Sequence, residues 1–251
     1  MMRLSGKRAL VTGGARGIGA ATAELLAECG ADVAIGYLSR RDEAEAMAER
    51  CRAIGVRAFA HAADIATADG SASLVLRTER EFGGVDLFIG NAGIWPVEEQ
   101  SADVMDDARW ARTMRENVDG MFFSTRAAVR AMGAGGRVVL VSSTAGQRGE
   151  AMHSDYAASK GAMISFVKSL AIELAPRQIT VNSVAPGWVD TEMCEIPFAN
   201  GGRERIAATI PVGRIGTPRD IAAPIVFLCS PLARHITGEI LNVNGGSVLC
   251  G

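Results

Sequence analysis

The stretch TGGARGIG, residues 12–19, decides the fold of this chain. It follows a short apolar run, Arg8 to Thr12, and precedes an alanine-rich segment, so it joins a predicted strand to a predicted helix. In such a turn Gly13 permits a tight bend, Gly17 lets the backbone approach a pyrophosphate, and Gly19 lets the helix pack on the strand. The N-terminus of the helix then offers free N–H groups to an anion. The stretch predicts a dinucleotide phosphate site, with a purely structural turn as the alternative interpretation.

Strand-like and helix-like segments alternate along the rest of the chain, including a long predicted helix from Val104 to Met132. Continuous apolar runs such as Val138 to Val141 are typical of strands covered by helices on both faces. The pattern predicts that residues 1–251 form one Rossmann-type α/β domain, a doubly wound parallel sheet of about seven strands with helices on both faces. The predicted strands are Arg8–Thr12, Asp32–Tyr37, Arg57–His61, Val85–Gly90, Arg137–Ser142, Ile179–Val184 and Glu239–Val243.

Composition argues against several classes of function. Lys and Arg number 26 and Asp and Glu number 28, whereas nucleic-acid binders are normally strongly basic. No apolar run approaches the roughly 20 residues that span a bilayer, and no signal peptide is expected. The histidines and cysteines are scattered, so neither a metal site nor a disulfide framework is predicted, and a reducing, cytoplasmic location is expected. The cysteines are Cys29, Cys51, Cys194, Cys229 and Cys250.

The end of the second predicted strand bears on the type of dinucleotide. NAD-binding sheets place an acidic residue there for the ribose hydroxyls, but this chain has no carboxylate between Tyr37 and Arg41. Guanidinium and hydroxyl donors suit a 2′-phosphate, so Arg16, Ser39 and Arg40 are its candidate ligands. NADP(H) is therefore the expected cofactor, with NAD(H) left open, because paired arginines also occur at the solvated start of a helix.

A tyrosine and a lysine follow the fifth predicted strand, which ends at Ser142 and is followed directly by Ser143. Tyr156 and Lys160 are four residues apart and therefore lie on one helix face. A phenol has a pKa of about 10, and a nearby ammonium group favours the phenolate. Lowering the pKa by about 3 units requires about 4 kcal/mol, for which Lys160 and an oxidised nicotinamide are the expected sources. The Tyr-x3-Lys spacing alone is weak, and its weight comes from the serine and the glycine turn.

Together these motifs resemble those of the short-chain dehydrogenase/reductase family over nearly the whole chain. The family has Asn where this chain has Gly90, which removes a side chain beside the adenine-side loop. The resemblance implies an NAD(P)-dependent oxidoreductase that acts on small-molecule carbonyls or alcohols, and a homotetramer formed through the long helices. Further matching stretches are Ala63-Asp64-Ile65, Asn91-Ala92-Gly93, Glu116-Asn117-Val118, Pro186-Gly187 and Thr191.

The resemblance also implies roles for individual residues. Tyr156 is the acid/base, Lys160 lowers the phenol pKa and binds the nicotinamide ribose, and Ser143 orients the substrate. Asn117 holds a water in a proton relay, and Asp64 contacts the adenine. The residues expected to contact the cofactor are Gly13, Arg16, Gly17, Ile18, Gly19, Tyr37, Ser39, Arg40, Asp64, Ile65, Asn91, Ala92, Gly93, Tyr156, Lys160, Pro186, Gly187, Val189 and Thr191.

Within the family, the chain looks most similar to the 3-oxoacyl-[acyl-carrier-protein] reductases. The same features recur in reductases of sugars, steroids and small ketones, and residues 129–137 lack a lysine cluster for an acidic carrier protein. The substrate therefore stays open between a 3-oxoacyl thioester and a small ketone, sugar or steroid. Residues 190–215 are expected to form a lid. The predicted substrate wall is Trp95, Ser143, Ala145, Met152, His153, Trp188 and Met193.

The residues disfavour three other functions. A non-catalytic NADP-binding protein has no need for Asn117, Ser143, Tyr156 and Lys160 together. The longer epimerases and dehydratases of the family carry a different glycine spacing and an extra substrate domain, and the enoyl reductases have a longer Tyr-to-Lys spacing. The residues thus favour a carbonyl reductase or alcohol dehydrogenase.

Overall fold

A computed structural model describes residues 2–249. Seven parallel strands form one sheet, in the order β3-β2-β1-β4-β5-β6-β7, which confirms the predicted doubly wound architecture. Six strands lie within two residues of their predicted limits, whereas β5 begins five residues earlier than predicted. The strands are β1 (Arg8–Thr12), β2 (Asp32–Tyr37), β3 (Ala58–Ala62), β4 (Val85–Gly90), β5 (Met132–Val141), β6 (Thr180–Pro186) and β7 (Ile240–Val243).

The sheet is covered on both faces, which explains the continuous apolar runs. Successive residues of a strand point to opposite faces. Val139 and Val141 of β5 accordingly belong to one core cluster, while Val138 and Leu140 belong to the other. The helices are α1 (Gly17–Glu28), α2 (Arg41–Ile54), α3 (Ala68–Phe82), α4 (Asp107–Met114), α5 (Gly120–Ala131), α6 (Thr144–Arg148), α7 (Ser154–Leu174), α8 (Glu195–Phe198), α9 (Gly202–Thr209) and α10 (Pro218–Cys229).

The prediction of one long helix from Val104 to Met132 is wrong in two respects. The helix begins only at Asp107, where the Asp106 side chain accepts a hydrogen bond of 2.7 Å from the Arg109 backbone. A π-helical turn at Arg115–Asp119 then separates α4 from α5. Such turns insert one extra residue into a helix and are frequent at functional sites. The apolar spacing did not reveal the turn, which displaces Asn117 relative to a regular helix.

The segment predicted as a lid follows β6 and is largely helical. It contains a short 3₁₀ helix, Glu192–Cys194, and the helices α8 and α9. Asn200 and Gly201 link α8 to α9 with positive φ angles of 51° and 76°. Movement of this segment stays a prediction.

The helices and the cysteines bear on the expectations about membranes, disulfides and metals. Among the helices of residues 2–249, none is long and apolar enough to cross a membrane. Within the same residues, four cysteines are free and no group of histidine, cysteine or acidic side chains could hold a metal ion. Cys250 lies outside the described residues.

Candidate active site

A cavity of about 410 Å³ runs along the carboxyl ends of the strands, where ligands bind in open α/β sheets. The structure brings nearly all of the predicted cofactor residues to its wall, with Gly19 as the exception. The lining residues from that set are Gly13, Arg16, Gly17, Ile18, Tyr37, Ser39, Arg40, Asp64, Ile65, Asn91, Ala92, Gly93, Tyr156, Lys160, Pro186, Gly187, Val189 and Thr191.

The glycine turn has the backbone that its sequence predicts. Gly13 and Gly17 have φ angles of 63° and 55°, in the left-handed region that favours glycine. Gly19 lies behind the wall, because a Cβ there would stand 2.2 Å from the carbonyl oxygen of Gly13. Gly19 therefore supports the turn, while Gly13 and Gly17 face the cavity.

Asn91 fixes this turn to the fourth strand. Its side-chain amide donates to the carbonyl oxygens of Thr12 and Gly13, both at 3.1 Å. The Thr12 hydroxyl in turn accepts from the backbone N–H groups of Asn91 and Ala92, at 3.0 and 3.1 Å. Gly90 stands where the family has Asn, and packing explains the difference, since a Cβ at this position would lie 2.6 Å from Leu140.

The predicted phosphate end contains a carboxylate that the sequence did not point to. Arg16 and Arg40 both pair with Glu192, and the distance from Arg40 Nη2 to Glu192 Oε2 is 3.4 Å. All three side chains are roughly half exposed. Glu192 belongs to the segment predicted as a lid, 152 residues beyond Arg40, so no local pattern links them.

The predicted adenine end is also anchored by charge. Asp64 accepts a hydrogen bond of 3.0 Å from the Ala66 backbone and pairs with Arg115 in the π-helical turn. Arg115 pairs with Glu116 as well, and Glu116 lines the cavity. Neither Arg115 nor Glu116 was predicted as a site residue.

Tyr156 and Lys160 stand side by side at the other end. Lys160 Nζ lies 5.8 Å from the centroid of the Tyr156 ring and donates to the Val141 carbonyl at 2.8 Å. Burial lowers the pKa of Lys160 to about 8. Burial also raises the pKa of Tyr156, and a hydrogen bond with Ser143 only partly opposes this. The expected lowering of the phenol pKa is therefore not supplied by the protein groups, since desolvation outweighs their effect.

Asn117 lies behind the wall. Its Oδ1 accepts from the Ile94 backbone at 2.8 Å, and its Nδ2 donates to the Ile94 carbonyl at 2.9 Å and to Ser159 Oγ at 3.0 Å. The Ser159 hydroxyl donates to the Tyr156 carbonyl at 2.8 Å. Asn117 thus ties the loop after β4 to the start of α7, and its role in a proton relay stays a prediction.

A buried ion pair holds the first turn of α7 and was missed in the sequence. Asp155 is fully buried, and its Oδ2 accepts from Arg109 Nε at 3.1 Å and from the Thr113 hydroxyl at 2.8 Å. Burial acts to raise the pKa of Asp155, but these hydrogen bonds prevail and lower it. Because Asp155 precedes Tyr156, the pair fixes the helix that carries the phenol.

The substrate wall agrees only in part with the predicted set. Trp95, Ser143, Ala145, Trp188 and Met193 line the cavity. The structure does not place Met152 or His153 among the lining residues, which is a correction. The residues Arg148, Glu150 and Cys194 line it instead, without having been predicted.

Solvent exposure accounts for the first correction and packing for the second. Met152 has a φ angle of 66° and a side chain that is exposed to solvent. His153 is buried and stacks against the Trp95 ring, with 4.8 Å between centroids and 19° between planes.

Known proteins with the same architecture are numerous. A family model described as "Enoyl-(Acyl carrier protein) reductase" matches residues 13–247. The 3-oxoacyl-[acyl-carrier-protein] reductase FabG of Vibrio cholerae is 41% identical over 247 residues, which cover 98% of each chain. The L-rhamnose 1-dehydrogenase (NAD(P)(+)) of Azotobacter vinelandii is 40% identical over 253 residues and again covers 98% of each chain.

A solved structure of a related protein has the same fold. A short-chain dehydrogenase from Burkholderia cenocepacia, in complex with NADP, superimposes with a TM-score of 0.92 and is 40% identical. The match covers 98% of this chain and 99% of that one. With its seven-stranded sheet and the relatives named above, this chain belongs to the short-chain dehydrogenase/reductase family of oxidoreductases.

Proposed function

We propose that the protein is an NADP(H)-preferring carbonyl reductase or alcohol dehydrogenase. The observation that carries the proposal is that a single cavity joins the glycine turn and two arginines at one end to Ser143, Tyr156 and Lys160 at the other. Such a cavity fits an extended dinucleotide, with its phosphates at the start of α1 and its nicotinamide end at Tyr156.

The residues that would hold NADP(H) have suitable chemistry. At the 2′-phosphate end, Arg16 and Arg40 carry guanidinium groups beside the hydroxyl of Ser39, and guanidinium binds phosphate in a bidentate manner. The first turn of α1 has no side-chain cap, so its N–H groups are free for the pyrophosphate. The NADP in the Burkholderia structure supports this choice.

When bound, the nicotinamide supplies or accepts the hydride, and the protein handles the proton. In reduction, the Tyr156 hydroxyl donates its proton to the carbonyl oxygen, which Ser143 also holds by a hydrogen bond. Lys160 is an ammonium with three donors, one of which is used by Val141, so two remain for the nicotinamide ribose. The Lys160 ammonium would favour the phenolate against the burial that raises the pKa of Tyr156, with the positive charge of an oxidised nicotinamide as the further source of stabilisation when the cofactor is bound.

The first experiment is NADPH oxidation, followed by absorbance, across a panel of carbonyl compounds, with NADH in parallel. The panel includes an acetoacetyl thioester, small ketones and sugars, and a 2-enoyl thioester to test the activity named in the family description. Carbonyl turnover that is faster with NADPH supports the proposal. Turnover of the enoyl thioester alone, or of no carbonyl or alcohol, refutes it.

The 2′-phosphate assignment has its own test. Replacing both arginines, Arg16→Ala with Arg40→Ala, should weaken NADPH binding far more than NADH binding, as measured by cofactor fluorescence. Equal losses for the two cofactors would contradict the assignment.

The substrate and the assembly are also proposals. A 3-oxoacyl thioester is the first candidate, supported by the Vibrio relative, and a sugar or small ketone is the second, supported by the Azotobacter relative. A cytoplasmic homotetramer built through α5 and α7 fits the exposed aromatic and aliphatic side chains of Phe122 and Ile172 on those helices. Size-exclusion chromatography with light scattering tests the assembly.

A further inference from the structure

The cavity contains a pair of opposite charges that neither the cofactor nor the proton transfer uses. Arg148 ends α6, Glu150 follows two residues later, and both side chains line the cavity. The charge of Glu150 contributes to raising the pKa of Tyr156, so its carboxylate lies on the catalytic side. Glu150 is partly buried whereas Arg148 is exposed, so the carboxylate is the group that gains most from a partner in the substrate.

The Glu150 carboxylate lies beside a stacked pair of rings. The Trp95 ring stacks on His153, and burial raises the pKa of Glu150, which the neighbouring His153 and Trp95 side chains only partly oppose. His153 Nδ1 lies 3.8 Å from Glu150 Oε1, which is too far for a hydrogen bond. An ionised carboxylate accepts about four hydrogen bonds, and a partly buried one loses free energy when they are missing. Glu150 therefore has spare acceptor capacity at the cavity.

Arg148 supplies the hydrogen-bond donors that the Glu150 carboxylate lacks. Its guanidinium has only donors, whereas the Glu150 carboxylate has only acceptors. A cationic substrate would be repelled by Arg148, and an anionic one by Glu150. A hydroxyl group both donates and accepts, so it satisfies the two side chains together.

The neighbouring walls suit the carbon skeleton of such a molecule. Trp95 and Trp188 stand edge to face, with 6.2 Å between ring centroids. Flat apolar faces next to a few convergent polar groups are the usual composition of a small-molecule site.

We propose that Arg148 and Glu150 form a hydroxyl-recognition site, and that the substrate is a neutral carbonyl compound with a free hydroxyl near the reacting carbon, as in a hydroxy ketone or a sugar. The corresponding alcohol is the substrate in the reverse direction. This inference rests on the proposed function, because it concerns the substrate of the same reaction, and it favours the second of the two substrate candidates named there over the 3-oxoacyl thioester.

The test compares matched pairs of ketones with NADPH: 1-hydroxy-2-butanone with 2-butanone, and 2-hydroxycyclohexanone with cyclohexanone. A hydroxyl also activates the neighbouring carbonyl chemically, so the preference is measured in wild type and in Glu150→Gln. A hydrogen bond to a charged group corresponds to about 10- to 100-fold in kcat/KM, and Glu150→Gln should remove most of that preference. Glu99→Gln, an exposed carboxylate outside the cavity wall, should keep it.

A second arm tests the charge. Acetoacetate is anionic and its ethyl ester is neutral, so Glu150→Gln should raise the rate ratio of acetoacetate to ester severalfold. A purely structural role of Glu150 would not move this ratio. Cofactor binding and thermal unfolding verify that Glu150→Gln is folded. If Glu150→Gln does not fold, Arg148→Met at an exposed position is used in its place.

The outcomes separate the two proposals. The hydroxyl-recognition site is overturned if Glu150→Gln lowers kcat/KM equally for both members of each ketone pair. It is also overturned if an acetoacetyl thioester is the best substrate and Glu150→Gln has no effect. Either result leaves the carbonyl reductase intact. If no carbonyl or alcohol reacts, both proposals are overturned.

Discussion

Replacing Glu192 by glutamine should tighten the binding of NADPH but not that of NADH. Glu192 pairs with both Arg16 and Arg40, and these side chains are 45–49% exposed. Exposed ion pairs contribute about 0.2–1 kcal/mol each, so freeing both arginines is worth about 0.4–2 kcal/mol. For NADPH, whose 2′-phosphate would take over the arginines, this corresponds to a decrease in Kd of about 2- to 30-fold.

The assay is the titration of wild type and Glu192→Gln with each cofactor, followed by the fluorescence of the reduced nicotinamide. NADH lacks the 2′-phosphate, so its Kd should change by less than about twofold. The control is Glu195→Gln, which removes an exposed carboxylate from the same segment. A weaker affinity for NADPH, or the same shift for both cofactors, would show that Glu192 does not compete for the phosphate.

Three further predictions concern catalysis and stability. Tyr156→Phe should abolish turnover while NADPH still binds, and near-normal rates would remove the phenol from the mechanism. Asp155→Asn should lower the free energy of unfolding by about 3–5 kcal/mol, because it leaves Arg109 unpaired with a side chain only 9% exposed; an unchanged urea midpoint would contradict this. Gly90→Asn, which introduces the family's usual residue, should cost about 1–3 kcal/mol by forcing a Cβ to within 2.6 Å of Leu140, and a melting temperature equal to that of wild type would refute the clash.

The fold was predictable because its signals are local. A continuous apolar run such as Val138 to Val141 requires cover on both faces, and the glycine turn fixes the order strand, turn, helix. The early start of β5 was not predictable in the same way. Met132 pairs with Val85 across an irregular register, and glycine-rich residues 133–136 carry no strand propensity.

The site was predictable where its residues share one motif or one strand end. Tyr156 and Lys160 are four residues apart in the chain and adjacent in space. The pairs that sequence reasoning missed join distant parts of the chain, such as Arg16 with Glu192 and Arg109 with Asp155. His153 was misplaced for a related reason, since only the packed structure shows that Trp95 covers it.

The ion pairs of Glu192 with Arg16 and Arg40 also determine how selective the cavity is for a 2′-phosphate. Because Arg16 and Arg40 already share the carboxylate of Glu192, a phosphate that binds them exchanges one anion for another. A phosphate monoester carries a charge of about −1.5 to −2, against −1 for a carboxylate, so the exchange favours a 2′-phosphate. A cofactor without that phosphate cannot displace Glu192 and gains nothing from the arginines. Glu192 should therefore reduce the absolute affinity for NADPH while keeping other anions off the arginines, since specificity depends on the difference between two affinities.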